Sequence, residues 1–186
     1  MFNPKYKLTN EILHDLIAVA ETKGIVDRAK ILPQQEIKLR RQAIIRMTHH
    51  STEIEGNQLN MGQVEALYAH KKIDAPDRDI YEVKNYLHAL KFIEKMVAEK
   101  QAITEKVILK IHQLVTDKTL PPHHCGHYRS GSIYVVRRRF GMSQETLYTG
   151  PDAKKVPKLV ADFVDWLKDS EKKEISPVLV AGIAHL

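Results

Sequence analysis

The sequence has a single cysteine, Cys125, which excludes an internal disulfide and fits a reducing compartment. It has no apolar run of membrane-spanning length and no signal-peptide core near its start, so no membrane partner is expected and a cytoplasmic setting is. Clustered charge is scarce too. The formal net charge is +6, yet the basic residues are spread over many faces and only Arg137-Arg138-Arg139 forms a tight run. Nucleic acid is therefore not expected as a partner. His123, His124, Cys125 and His127 sit close together, but no second cysteine or histidine pair completes a tetrahedral zinc set. That stretch reads as a polar loop, and no metal ligands are assigned.

What is present is enough for a real core: 186 residues, 43% hydrophobic and 28% charged. Apolar spacing predicts a helix over residues 10–20, capped by Thr9 or Asn10. Pro33 marks a break, and residues 35–55 resume a helix with Ile37, Ile44, Met47, Ser51 and Ile54 as its stripe. Asn60 and Gln63 have the spacing of a capping box for a helix from Met61 to about His70. After Pro76, Asp77 or Asp79 opens a long helix with Ile80, Val83, Leu87, Leu90 and Val97 on one face. Thr104 caps the next, whose apolar set is Ile108, Ile111, Leu114 and Val115.

The pattern then changes. Ile133-Tyr134-Val135-Val136 and residues 145–149, which include Leu147 and Tyr148, read as two strands joined through residues 137–144 with Gly141. An isolated hairpin is marginal in water, so this one is expected to lean on the helices while its outer edge stays open to a partner strand. Pro157 starts another helix, with Leu159, Val160, Phe163, Trp166 and Leu167 as its apolar side. The last helix, from Ser176-Pro177, is apolar nearly all round, the mark of a helix buried at a domain centre. Because the sequence ends on it, the expectation is a chain that stops inside its domain.

One short stretch carries polar chemistry. In Ser51-Thr52-Glu53-Ile54-Glu55-Gly56-Asn57, Ser51 and Glu55 are one turn apart on one helical face, and Gly56-Asn57 supplies left-handed residues that stop the helix. By spacing alone this is an ordinary helix end.

The order of the elements resembles the Fic family, whose characterised members mostly transfer AMP from ATP to protein hydroxyls. The matching pieces are Ser51 to Asn57, similar to the family's inhibitory motif; Asp79-Ile80-Tyr81-Glu82-Val83-Lys84-Asn85-Tyr86-Leu87-His88-Ala89-Leu90 in the long helix; Gly126-His127-Tyr128-Arg129; the hairpin; and Ser176 to Leu186. The likeness covers roughly residues 35–186. It implies a mainly α, Fic-like helical bundle with one β-hairpin and a core incomplete at the C-terminal end. Residues 1–72 would be an N-terminal region bearing the inhibitory helix, and 73–186 the first part of the Fic-like domain. Ser51, Glu55 and Gly56 would be inhibitory, as in the self-inhibited subgroup with an N-terminal inhibitory helix. Ile133, Tyr134, Val135, Val136, Leu147 and Tyr148 would form the flap that docks a protein substrate, with ATP and magnesium serving the intact enzyme.

The departure lies at the catalytic loop. In the family the all-apolar helix leads into His-Pro-Phe-x-Asp/Glu-Gly-Asn-Gly-Arg-x-x-Arg. The 186 residues contain no such loop and no Gly-x-Gly, and His185 matches a position in the preceding helix. No catalytic residue is therefore assigned in this chain. The expectation is the N-terminal portion of a longer adenylyltransferase, inactive alone and open to self-association through its uncovered core. The alternative is a non-catalytic, antitoxin-like module that presents Ser51 and Glu55 to a separate subunit.

Overall fold

The computed structural model describes residues 2–137 and 145–185. The expected hairpin turn, with Arg138, Arg139 and Gly141, lies outside the described residues. The elements run α1 (Asn10–Arg28), α2 (Pro33–Ile54), α3 (Met61–Tyr68), α4 (Asp77–Ala98), α5 (Glu105–Thr116), β1 (Tyr134–Arg137), β2 (Glu145–Thr149), α6 (Val156–Lys172) and α7 (Pro177–His185). The fold is a helical one with a single two-stranded hairpin among the described residues, matching the Fic-like expectation. None of the described helices is long and apolar enough to cross a membrane.

Three helices share the core. Ile45 of α2, Leu59 of the following turn, Val64 and Leu67 of α3, and Val83 and Leu87 of α4 form one buried cluster. α3 is fixed at its start by the full capping box: Asn60 Oδ1 accepts from Gln63 N at 3.0 Å, and Gln63 Oε1 accepts from Asn60 N at 2.9 Å. A helix of 8 residues has little stability of its own, so this cap and its two core residues hold it.

The buried face of α2 differs from the expected stripe. Ile37 and Ile54 are 69% and 83% exposed, and the buried residues are Ile45, Thr48 and Thr52. The threonines can turn inward because each hydroxyl donates to its own helix, Thr48 to Ile44 O at 2.7 Å and Thr52 to Thr48 O at 3.0 Å. With the polar atom satisfied, what each offers the core is a methyl group. A pattern built on isoleucines misses this.

Further along, Asn85 is buried on α4 and its amide donates to Val115 O at 3.3 Å and Asp117 O at 2.6 Å, which satisfies carbonyls at the end of α5. Phe2 meets α6 edge-on, with ring centroids 5.5 Å from Phe163 and 5.2 Å from Trp166.

Two expectations need correction. α7 buries none of its residues, and Val178 is 51% exposed, so it is not a central buried helix in this structure. Among the described residues no element covers its outer side. The hairpin also does not lean on the helices: every strand residue but Val136 is exposed. It is closed at its base instead. Arg129 donates to Gly131 O at 2.6 Å and also to Pro151 O, while Gly150 N donates to Ile133 O at 2.9 Å.

Leu67→Ala should lower stability by about 2–5 kcal/mol, since it removes a core side chain and leaves a cavity. Ile54→Ala, at an exposed position, should change it by no more than about 0.5 kcal/mol. Urea unfolding of the two variants checks the assignment of the buried face, and equal losses would contradict it.

Candidate functional site

The site is the C-terminal end of α2 and the turn after it. Two backbone bonds stop the helix: Gly56 N donates to Glu53 O at 2.9 Å and Asn57 N to Thr52 O at 3.1 Å. This is the Schellman arrangement, and it requires a left-handed residue, which is Gly56 at φ +93°. A Cβ there would meet nothing within 4 Å, so glycine is needed for its dihedral and not for space.

Asn57 departs from the expectation of a second left-handed residue. It is buried, and its side chain works in both directions: Nδ2 donates to Asp79 O and to Glu82 Oε2, both at 3.0 Å, and Oδ1 accepts from Leu59 N at 3.1 Å. Arg78 holds Glu82 from the other side, Nε to Oε1 at 2.9 Å. The first two turns of α4 are thereby bound to the turn that ends α2.

Ser51 lies half-buried on the inner side, its Oγ 2.9 Å from the Tyr86 hydroxyl of α4. Glu55 caps α2, with φ −81° and ψ 3°, and is exposed. Its carboxylate makes no hydrogen bond or ion pair among the described residues. The pair is thus split by environment, Ser51 fastened inward and Glu55 facing out at a helix end where the dipole gives a carboxylate no support. Tyr86 and Glu82 lie in the stretch that resembles the family, but the sequence assigns neither of them a contact with the end of α2. From the sequence Asn57 reads as a helix stop and the last residue of the Ser51 to Asn57 motif, and nothing in the spacing shows that α4 lies against it.

The loop of residues 120–131 is accounted for structurally. Cys125 Sγ donates to Thr116 O at 3.3 Å, and His112 Nδ1 accepts from Gly126 N at 2.9 Å. Gly126 sits at φ +73°, where a Cβ would come within 2.9 Å of Gln113 Cβ. His124 and His127 border a cavity of about 390 Å³ with Tyr128 and Arg129. Burial, and then the adjacent Glu105 carboxylate, push the Tyr128 phenol up to about 12. Of the residues expected to form a flap, Val135 pairs with Tyr148 and Tyr134 with Thr149, Val136 is half-buried, and the register slips at Leu147, the extra residue of a bulge. Ile133 lies just before β1.

No protein-family model matches the chain. It is 25% identical over 186 residues to a protein adenylyltransferase Fic of Nematostella vectensis, an alignment that takes in 98% of this chain and 40% of that protein. It is 28% identical over 153 residues to the protein adenylyltransferase fic-1 of Caenorhabditis elegans, covering 80% of this chain and 28% of that one. The crystal structure of a Fic family protein from Desulfovibrio desulfuricans G20 superposes with a TM-score of 0.75 at 31% identity, over 99% of this chain and 52% of the other. These likenesses support a Fic-family assignment. A Fic-domain signaling protein from Bacteroides thetaiotaomicron, 21% identical with a TM-score of 0.65, shares the fold over 78% of this chain. The chain spans 40% or less of these two curated Fic relatives and about half of the solved Fic structures.

The Ser51–Tyr86 contact gives a direct check. Ser51→Ala and Tyr86→Phe should show a coupling of about 0.5–1.5 kcal/mol in a double-mutant cycle read by unfolding. Strictly additive losses would mean that the two hydroxyls do not meet in solution.

Proposed function

We propose that this chain forms the inhibitory and target-docking part of a Fic-type enzyme that transfers AMP from ATP to a hydroxyl side chain of a protein. The observation that carries the reading is the state of Glu55, a carboxylate with no ion pair, held outward one turn beyond a serine that is fastened to α4. The names of the curated relatives, protein adenylyltransferases, supply the reaction class.

Magnesium and a phosphate nest find no fit within this chain. Its 186 residues hold no His-Pro-Phe loop and no Gly-x-Gly, so no proton transfer or phosphate contact is assigned to any of its side chains. Those groups, and ATP with its metal, belong to the catalytic loop that the family resemblance implies for the active enzyme.

Two tasks remain for the residues present. Glu55 acts as inhibitor: it pairs with an arginine of the catalytic loop and occupies the space of the γ-phosphate. At about 4 Å and an effective dielectric of about 20, two like charges repel by on the order of 4 kcal/mol, enough to exclude productive ATP without unfolding anything. Ser51 and Gly56 fix where that carboxylate stands. The hairpin docks the target, whose strand pairs with the free edge beside Tyr134, Val135 and Val136 or beside Leu147 and Tyr148. The exposure of both strands supports this.

Glu55→Gly in a protein that carries the catalytic loop should raise AMP transfer about tenfold or more, since even a third of that repulsion corresponds to roughly a factor of ten in rate. Auto-modification with labelled ATP reads it beside wild type. A fall in rate would make Glu55 a catalytic acid or ligand, and no change would make it a solvated helix end.

A further inference from the structure

The sequence places its most obvious metal donors at His123, His124, Cys125 and His127, but the folded chain does not bring them to one point. It does so elsewhere. We propose that the last turns of α2 hold a divalent transition metal between His49, His50 and Glu53. This goes beyond the inhibitory reading of Ser51 and Glu55, which occupy a different side of the same helix end.

His49 and Glu53 are four residues apart and His50 and Glu53 three, the two spacings that bring helix side chains together. One donor atom from each of the three lies within 4.8 Å of the other two. Glu53 Oε2 is 3.3 Å from His50 Nδ1 and 3.9 Å from His49 Nε2. Donors about 2.0–2.2 Å from a tetrahedral ion stand roughly 3.4 Å from each other, so small side-chain rotations close the set.

The three ligands are unequally prepared. The His49 side chain is 14% exposed, so packing fixes its ring, whereas His50 and Glu53 are 63% and 58% exposed and free to close on an ion from solvent. His49 Nδ1 is buried with no hydrogen-bond partner among the described residues. The other ring nitrogen, Nε2, approaches Glu53 at 3.9 Å and is the atom that would ligate an ion. The carbonyl end of α2 adds a partial negative charge that favours a cation. Two imidazoles and one carboxylate suit zinc, nickel or copper, with a fourth position left to water. They do not suit magnesium or calcium, which take oxygen ligands.

The test is a zinc titration of this 186-residue chain by calorimetry, with thermal unfolding at matched zinc concentrations. Wild type should bind one zinc per chain and melt higher with it, since a ligand of the folded state stabilises it. The exposed-site variants His50→Ala and Glu53→Ala, which leave the core untouched, should each bind at least tenfold more weakly. Millimolar magnesium should give no shift. Absence of zinc binding by wild type would overturn the proposal. So would unaltered binding in both variants, or binding that is lost in His123→Ala or His124→Ala while His50→Ala retains it.

Discussion

The arrangement depends on one buried side chain, Asn57. Its amide is the point at which the turn after α2 is tied to the first two turns of α4, through Asp79 O and Glu82, while its carbonyl oxygen organises the turn itself through Leu59 N. Leu59, two residues on, enters the core. A buried amide left without these partners would cost about 1–3 kcal/mol, so the turn has few ways to move without unfolding locally. With that point fixed, Gly56 directs the chain, Ser51 reaches Tyr86, and Glu55 is left outside. The inhibitory role proposed for Glu55 needs a defined position more than it needs affinity, and the fixed turn is suited to supply one.

Capping chemistry was the most legible part of the fold. Thr9, Asn60 and Thr104 each accept from a backbone amide at the start of a helix, as their sequence contexts indicate. Helix ends were harder. With only 8 glycines in the chain, α3, α4 and α6 stop on His70, Lys100 and Glu174 in left-handed conformations that carry no glycine signal. α1 likewise continues through Gly24 to Arg28, where apolar spacing had fallen away. Termination by a non-glycine residue is decided by what the following segment packs against, and that is tertiary information.

The site was legible as a pattern and not as a structure. Ser51, Glu55 and Gly56 stand where the helical spacing puts them. Their supports do not appear in any local pattern, because Tyr86 and Glu82 come from a helix about thirty residues on. The same holds for Arg129, which closes the hairpin from outside it. Threonines 48 and 52 misled the reading of α2 for a different reason. Their hydroxyls are satisfied within the helix, so residue type gave the wrong sign for burial.

Native-state hydrogen exchange of the amides of Asn57 and Leu59 tests the central claim most directly. If Asn57 fastens the end of α2 to α4, both amides exchange as slowly as that of Val64 in the core, and Asn57→Ala speeds both by an order of magnitude or more. Exchange as fast as that of the exposed strands in wild type would show that the turn is not held, and that Glu55 lacks the fixed position its proposed role requires.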